Sequence, residues 1–357
     1  LSGKREKQVP LYYNKFKALI LVTGGTGLVG SHLLFDLAKA GKKVRALKRA
    51  GRSISDVEKV FRFYSDDADK LLKQVEWVDG DVTDIYSLLD AMEGVTEVYH
   101  AAALISFWKK DHALMEKVNV EGTANVVNAA LEKNIRKLCH VSSIAAIGRP
   151  EHPAEITEKL VWKNSPDNSI YAISKYGAER EVWRASEEGL DVVIVNPGII
   201  IGPGNWRSGS TEIFPVAYKG IKFYTEGVCG FVDVRDVSRA MIRLMESDIR
   251  NERFILTAEN IHFRDFFGMI NSELQKPQPS IKANKLMTGF AWRAEKFRSV
   301  FTGNKPVLTK ETAIASHQQN FFSNKKIKEK LSFDFIPVKQ SVADTAKLFL
   351  QDVSNKR

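Results

Sequence analysis

The chain has 357 residues, long enough to bury a sizeable core in one compact domain with a smaller second one beside it. Apolar residues make up 44% and charged residues 27%, which excludes a disordered chain, and two distant cysteines, Cys139 and Cys229, provide neither a disulfide framework nor a metal cluster. The formal charge of +10 concentrates in KREK near the start, KKVRALKRAGR (42–52) and NKKIKEK (324–330); no nucleic-acid motif accompanies it, so it reads as an anionic small ligand plus a solvated surface.

In chain order, the first apolar run is ALILVT (18–23), too short for a membrane span and leading straight into glycines. With no run near ~20 apolar residues, a soluble, cytoplasmic protein is expected. Further strand-like runs are KVRALK (43–48), VEWVDG (75–80), EVYHAA (97–102), KLCHVSS (137–143) and DVVIVNP (191–197). Helical patterns separate them at 28–40, 56–73, 84–93, 112–134 and 170–188. Gly41 reads as a stop for the first helix, and Thr83/Asp84 as an N-cap. Strands alternating with helices predict an α/β, doubly wound fold whose parallel sheet is covered on both faces.

After Pro197 the rhythm breaks into a loop (201–212), short strands at 231–234 and 253–257, and helices at 235–247, 262–275, 285–302, 309–317 and 341–351. The expected organisation is a nucleotide-binding domain at 15–196, with 229–257 returning to it, and a mostly helical substrate-binding region at 197–228 and 258–357. Ligands of such sheets sit beyond the carboxyl ends of the strands.

The first strand ends in TGGTGLVG. Gly24 permits a tight turn, Gly27 lets backbone approach a pyrophosphate, and Gly30 lets helix pack close to strand; the helix N-terminus then faces the phosphates. At the end of the second strand, an acid would bind the ribose hydroxyls of NAD, whereas cations accommodate the 2′-phosphate of NADP. VRALKRAGR offers Lys48, Arg49 and Arg52 and no acid, so NADP(H) is expected, with NAD(H) as the alternative.

Together these segments resemble the extended short-chain dehydrogenase/reductase family, in the NAD-dependent epimerase/dehydratase superfamily, over nearly the whole chain. TGGTGLVG looks like the family's cofactor loop, which would place Gly24, Thr26, Gly27, Leu28, Val29 and Gly30 against the dinucleotide. By the same resemblance, GDVTD (80–84) puts Asp81 and Val82 beside the adenine, and HAAA (100–103) lines the cofactor with Ala101, Ala102 and Ala103. VNPGIIIGPG (195–204) brings Pro197, Gly198 and Ile200 to the nicotinamide side. VNVEGTANVVNAA (118–130) carries Asn119 at the position of the family asparagine, expected either to relay protons or to order backbone and water. The resemblance also implies that a homodimer can form through the helices at 112–134 and 170–188.

The same resemblance makes Tyr171 of IYAISKY the general acid/base and Lys175 its partner. The spacing agrees independently, since residues four apart share a helix face. A nearby ammonium is expected to favour phenolate and lower a phenol pKa of roughly 10. Of the adjacent Ser142 and Ser143, the resemblance selects Ser143 to polarise a substrate carbonyl, since the family's serine stands five residues before a glycine as Ser143 does before Gly148; neighbours on a strand alternate faces, so the two cannot share the role.

Ile144 and Ala145 follow that serine where sugar dehydratases of the family carry acidic residues, which disfavours elimination chemistry. VDVRDV (232–237) resembles the dihydroflavonol-reductase-like and 3β-hydroxysteroid-dehydrogenase-like branch. Trp206, Phe214, Tyr218, Phe223 and Tyr224 suggest a bulky hydrophobic carbonyl substrate, although each equally suits a small-domain core. The expected activity is thus NADP(H)-dependent reduction of a ketone or aldehyde. The alternatives are a nucleotide-sugar epimerase, with Arg207 as a diphosphate contact, or a non-catalytic NADP sensor. Finally, KLMTGFAWRAEKFRSVF (285–301) places Leu286, Phe290, Phe297 and Phe301 on one helical face near Arg293, Lys296 and Arg298, a pattern shared by interfacial helices and ordinary substrate-domain helices.

Overall fold

A computed structural model describes residues 18–150 and 154–355; the KREK cluster and the expected domain start at residue 15 lie outside them. Twelve strands follow in order: β1 (Leu19–Thr23), β2 (Lys43–Lys48), β3 (Val75–Asp79), β4 (Val95–His100), β5 (Lys137–Val141), β6 (Asp191–Pro197), β7 (Ile199–Ile201), β8 (Phe223–Tyr224), β9 (Val228–Asp233), β10 (Glu252–Leu256), β11 (Glu259–His262) and β12 (Ile281–Lys282). Seven of them form a sheet in the order β10-β6-β5-β4-β1-β2-β3, with every pair parallel.

The sheet is buried on both faces, and the period-two pattern of its strands shows why. Ile20 and Val22 of β1 and Val193 and Val195 of β6 enter one apolar cluster. Their neighbours Leu21, Val192 and Ile194 enter the other. The first face is covered by the helices Leu28–Lys39 and Val234–Glu246, the second by Gly122–Glu132 and Ile170–Glu187. Strand order reverses between β1, which leads outward to β2, and β4, which leads the other way. Such a switch point opens a crevice at the carboxyl ends of the two strands.

Local signals behave as their chemistry predicts. Gly41, at φ +67°, follows the first helix, and Asp84 accepts from the Tyr86 N–H at 3.1 Å as an N-cap. Other expectations need correction. The helix expected at 56–73 is two, Ser55–Tyr64 and Ala68–Leu72. The expected 112–134 helix contains a π turn at Glu116–Glu121, and β5 stops at Val141 rather than running through both serines.

The C-terminal part is mostly helical, with small sheets beside the helices. Strands β11, β9 and β7 form a second sheet and β12 and β8 a third, while the basic NKKIKEK segment contains the helix Lys325–Leu331. Trp206 and Phe214 are buried with Phe349, and the Trp206 indole N–H donates to Asp352 at 2.9 Å. The ring of Tyr218 lies 5.6 Å from that of Phe349. These three aromatics are core of the C-terminal part, the second of the two readings their sequence left open.

Candidate active site

The glycine turn lies at the switch point, and its residues are dictated by contact. Gly24 has φ +72°, and a Cβ there would lie 2.5 Å from the Ala101 carbonyl carbon; one on Gly30 would lie 2.1 Å from the Gly24 oxygen. No side chain can occupy either place, so β1, β4 and the first helix meet backbone to backbone. Gly27 is exposed at the helix N-cap, with no side chain capping the first turn. Thr26 and Leu28 are half-buried, while the Val29 side chain is buried in the core. This leaves a bare, positive helix end at the mouth of the crevice.

At the end of β2, Lys48 forms an ion pair with Asp79, its register partner on β3. The basic loop therefore does meet an acid, contributed by the neighbouring strand. Arg49 and Arg52 are exposed, and no carboxylate among the described residues pairs with either guanidinium. Asp81 turns one carboxylate oxygen back to Thr83, accepting from its N–H and hydroxyl at 2.9 Å each. Val82 is buried, and its carbonyl accepts from the Asn125 amide at 3.0 Å.

Beyond β4, Ala101 and Ala102 are half-buried and Ala103 is exposed. Behind them runs a buried polar chain that sequence reasoning missed. The Thr123 hydroxyl donates to the Asn119 carbonyl at 2.6 Å, so its oxygen accepts from His100 Nε2 at 2.9 Å. His100 Nδ1 then accepts from the Thr23 hydroxyl at 2.7 Å. These bonds fix a neutral imidazole, and burial pulls its pKa from 6.5 down to about 3. The chain ties the glycine turn to the π turn carrying Asn119; π turns recur at functional sites.

The Asn119 side chain is fully engaged. Its oxygen accepts from the Leu104 N–H at 2.7 Å, and its amide donates to the Leu104 carbonyl at 2.9 Å and to Ser174 Oγ at 3.0 Å. It thereby fixes the backbone of the segment that follows β4. From that segment the Phe107 ring meets the Tyr171 ring edge-on at 5.7 Å.

Ser142 and Ser143 diverge. Ser142 Oγ donates to Glu179 at 2.6 Å, away from the crevice. Ser143 caps a turn of 3₁₀ helix at Ile144–Ala146, its Oγ accepting from the Ala145 N–H at 3.1 Å, and its hydroxyl lies near the Tyr171 phenol. Gly148 is required for a packing reason: a Cβ there would lie 2.1 Å from the Val161 carbonyl oxygen.

Tyr171 and Lys175 stand one turn apart on the helix Ile170–Glu187, whose N-cap Ser169 accepts from the Ala172 N–H at 3.0 Å. Burial raises the phenol pKa above its ordinary value, and it is Ser143, not Lys175, that pulls the other way. Lys175 Nζ donates to the Val141 carbonyl at 2.8 Å. Burial lowers the Lys175 pKa to about 8, with the Glu179 carboxylate opposing the shift.

Glu179, also unforeseen, is the hub behind these groups. It accepts from Ser142 and from Asn196 (2.8 Å) on one oxygen, and from Trp183 (3.3 Å) and Arg253 (2.8 Å) on the other. Its sequence signal was the repeated four-residue step Tyr171, Lys175, Glu179 along one helix face. On the remaining side of the crevice, Pro197 is buried at the end of β6, and Ile200 packs on the core. Gly198 passes so close to β9 that a Cβ would lie 2.3 Å from the Gly230 oxygen.

A parallel sheet with a bare helix end at its switch point, beside a half-buried tyrosine and a buried lysine, is the architecture of a dinucleotide-dependent oxidoreductase. The chain belongs to the NAD dependent epimerase/dehydratase family, whose model matches residues 20–256, and is an NAD(P)-dependent enzyme of the short-chain dehydrogenase/reductase type. It is 30% identical to a protein of Synechocystis sp. provisionally named dihydroflavonol 4-reductase, over 92% of this chain and 93% of the relative. It is 31% identical to sterol demethylase protein B of Methylococcus capsulatus, over 76% of this chain and 79% of the relative.

Among solved structures, gox2253 superposes with a TM-score of 0.77 at 31% identity, covering 94% of this chain and 98% of that one. UDP-glucose 4-epimerase of Thermotoga maritima, at 19% identity, shares the fold with a TM-score of 0.73, covering 94% and 99%.

Proposed function

We propose that the protein is an NADP(H)-dependent reductase of a ketone or aldehyde. The observation that carries this reading is Ser143 beside the Tyr171 phenol, with Lys175 one helical turn on along the same helix. Cradle and cofactor fit: Gly24 and Gly30 have no room for a side chain, and the bare helix end at Gly27 suits a pyrophosphate. Asp81 and Val82 would flank the adenine, Ala101, Ala102 and Ala103 the dinucleotide, and Pro197, Gly198 and Ile200 the nicotinamide. Arg49 and Arg52, without an ion-pair partner among the described residues, favour a 2′-phosphate, whereas Lys48 is already neutralised by Asp79.

When bound, the nicotinamide supplies the hydride that a carbonyl carbon accepts. The rest falls to this chain. Ser143 donates a hydrogen bond to the substrate oxygen and orients it, and Tyr171 releases its proton to that oxygen as charge develops. Burial keeps Tyr171 protonated at neutral pH, which suits an acid in the reductive direction. Lys175 retains its charge below about pH 8, offsetting the negative charge left on Tyr171. Asn119 acts by positioning, since its amide is committed to Leu104 and Ser174. Phe107 against Tyr171, with exposed Ile105 beside it, favours an apolar substrate.

The epimerase reading is less well supported. Arg235 is engaged by Asp233 at 2.6 Å and Asp344 at 2.8 Å, and Arg207 is exposed on a loop. The test is NADPH oxidation over a panel of ketones and aldehydes. Tyr171→Phe should lower kcat by ~10²–10⁴-fold, the usual worth of a general acid, while still binding NADPH. Tight NADPH binding with no turnover by either form would indicate a sensor instead.

A further inference from the structure

The helix Lys285–Thr302 is amphipathic the wrong way round for a helix on a soluble surface. Its buried residues are Thr288 and Ser299, both hydroxyl-bearing and satisfied locally: Thr288 Oγ1 pairs with His317 Nε2 at 2.9 Å, and Ser299 Oγ donates to the Asn304 carbonyl at 2.7 Å. Five of its large apolar residues face out. Leu286 is 77% exposed, Phe290 80%, Phe297 68%, Val300 72% and Phe301 75%. At 3.6 residues per turn these five fall within an arc of roughly 100°. Nothing among the described residues covers them, so the reading as an ordinary substrate-domain helix does not account for this face.

What would cover it is indicated by charge. The helix carries Lys285, Arg293, Lys296 and Arg298 against one acid, Glu295, which Arg298 already neutralises at 2.8 Å. Lys285 and Lys296 line one edge of the apolar stripe, Arg293 snorkels along it with its guanidinium over the Trp292 ring at 4.6 Å, and exposed Lys305 follows the helix. Aromatic anchors bordered by cations of one sign complement an apolar layer under an anionic surface. A second copy of the chain would bring the same cations against each other. We propose that this face docks the protein peripherally on an anionic lipid bilayer, with Phe290, Phe297 and Phe301 entering the headgroup boundary.

The helix also has a place near the crevice. Lys305, just past its end, pairs with Asp111 at 3.0 Å, and Asp111 accepts from Ser106 at 2.6 Å, next to the Phe107 that touches Tyr171. The docking proposal does not depend on what reaction occurs there.

The experiment is co-sedimentation of the full chain with vesicles of phosphatidylcholine alone or mixed with phosphatidylserine, at low and high salt, alongside size-exclusion chromatography. Binding is expected to the mixed vesicles, weakening with salt. Phe290→Ser/Phe297→Ser/Phe301→Ser should lower the partition coefficient at least tenfold, and Lys285→Gln/Lys296→Gln by about fivefold per cation. Both variants should keep wild-type circular dichroism and NADPH binding, since neither alters a buried contact. Failure of the wild type to sediment with the anionic vesicles would overturn the proposal. So would a dimer that the phenylalanine variant dissociates without any change in vesicle binding, which would make the face a homodimer interface.

Discussion

Arg253 holds Glu179 at 2.8 Å in an ion pair almost wholly withdrawn from solvent, behind the helix turn that carries Lys175. The same guanidinium donates to the carbonyls of Glu158 and Leu160, and Glu179 also receives Ser142 and Asn196. One side-chain pair thus joins β10, β6, the end of β5 and the helix bearing Tyr171. The last strand of the seven-stranded sheet in chain order closes the back of the candidate site.

Arg253→Met should therefore destabilise the fold by about 3–5 kcal/mol, since it strands a buried carboxylate. Adding Glu179→Gln to it should recover part of that loss. Glu179→Gln alone also removes the carboxylate that holds the Lys175 pKa up, so the basic limb of the kcat/KM profile should move below about pH 8. Urea unfolding and a pH–rate profile check the two halves separately. Equal, additive costs from both substitutions would contradict the coupling.

The two serines should separate cleanly. Ser143→Ala removes the hydroxyl next to Tyr171 and should lower kcat by ~10²–10³-fold with the fold intact. Ser142→Ala leaves Glu179 short of a buried donor and should cost about 1–3 kcal/mol of stability with a far smaller effect on rate. Melting temperatures and initial rates on the two variants decide it; the reverse pattern would exchange their roles.

How far the sequence predicted this site depends on whether a residue's duty is local. Gly24, Gly30 and Gly41 were readable because a turn or a close approach admits no side chain. Tyr171 and Lys175 were readable because helical spacing fixes their shared face. The pairing of Lys48 with Asp79 was not readable, because it is set by strand order, which places β2 against β3 in register. Glu179 and Arg253 stand 74 positions apart and become neighbours only after the sheet closes. The π turn at Asn119 has no composition cue, and periodicity alone could not say which side of Lys285–Thr302 is buried.

Cofactor preference should be set by the unpaired arginines. Arg49→Glu places a carboxylate where a 2′-phosphate would lie and should raise the Kd for NADPH at least tenfold with little change for NADH. Lys48→Gln should act more weakly on NADPH, because that ammonium already belongs to Asp79. Fluorescence titration of both dinucleotides gives the ratio directly. An unchanged NADPH/NADH preference in Arg49→Glu would place the selecting group elsewhere.

Acid should weaken the fold through its buried histidines. Burial holds His32 at about 4 and His100 at about 3, and pushes His140 well below the ordinary imidazole value. His32 Nδ1 donates to the Leu28 carbonyl at 2.8 Å and Nε2 accepts from Tyr64 at 3.1 Å; neither ring nitrogen of His140 has a partner among the described residues. All three are neutral when folded, whereas the unfolded chain protonates them below a pH of about 6.5. The unfolded state then binds more protons, so stability falls with pH from about 6.5 downward, by roughly 2 kcal/mol per histidine at pH 5. Asp236 works the other way: burial raises it to about 6, so the folded state gains a proton there first and recovers part of the loss. His140→Phe, which keeps the ring beside His100 at their 5.1 Å separation, isolates one contribution. It should lessen the drop in urea-unfolding free energy between pH 7 and pH 5 by about 2 kcal/mol. A wild-type drop that the substitution leaves unchanged would mean that His140 is not neutral in the folded protein.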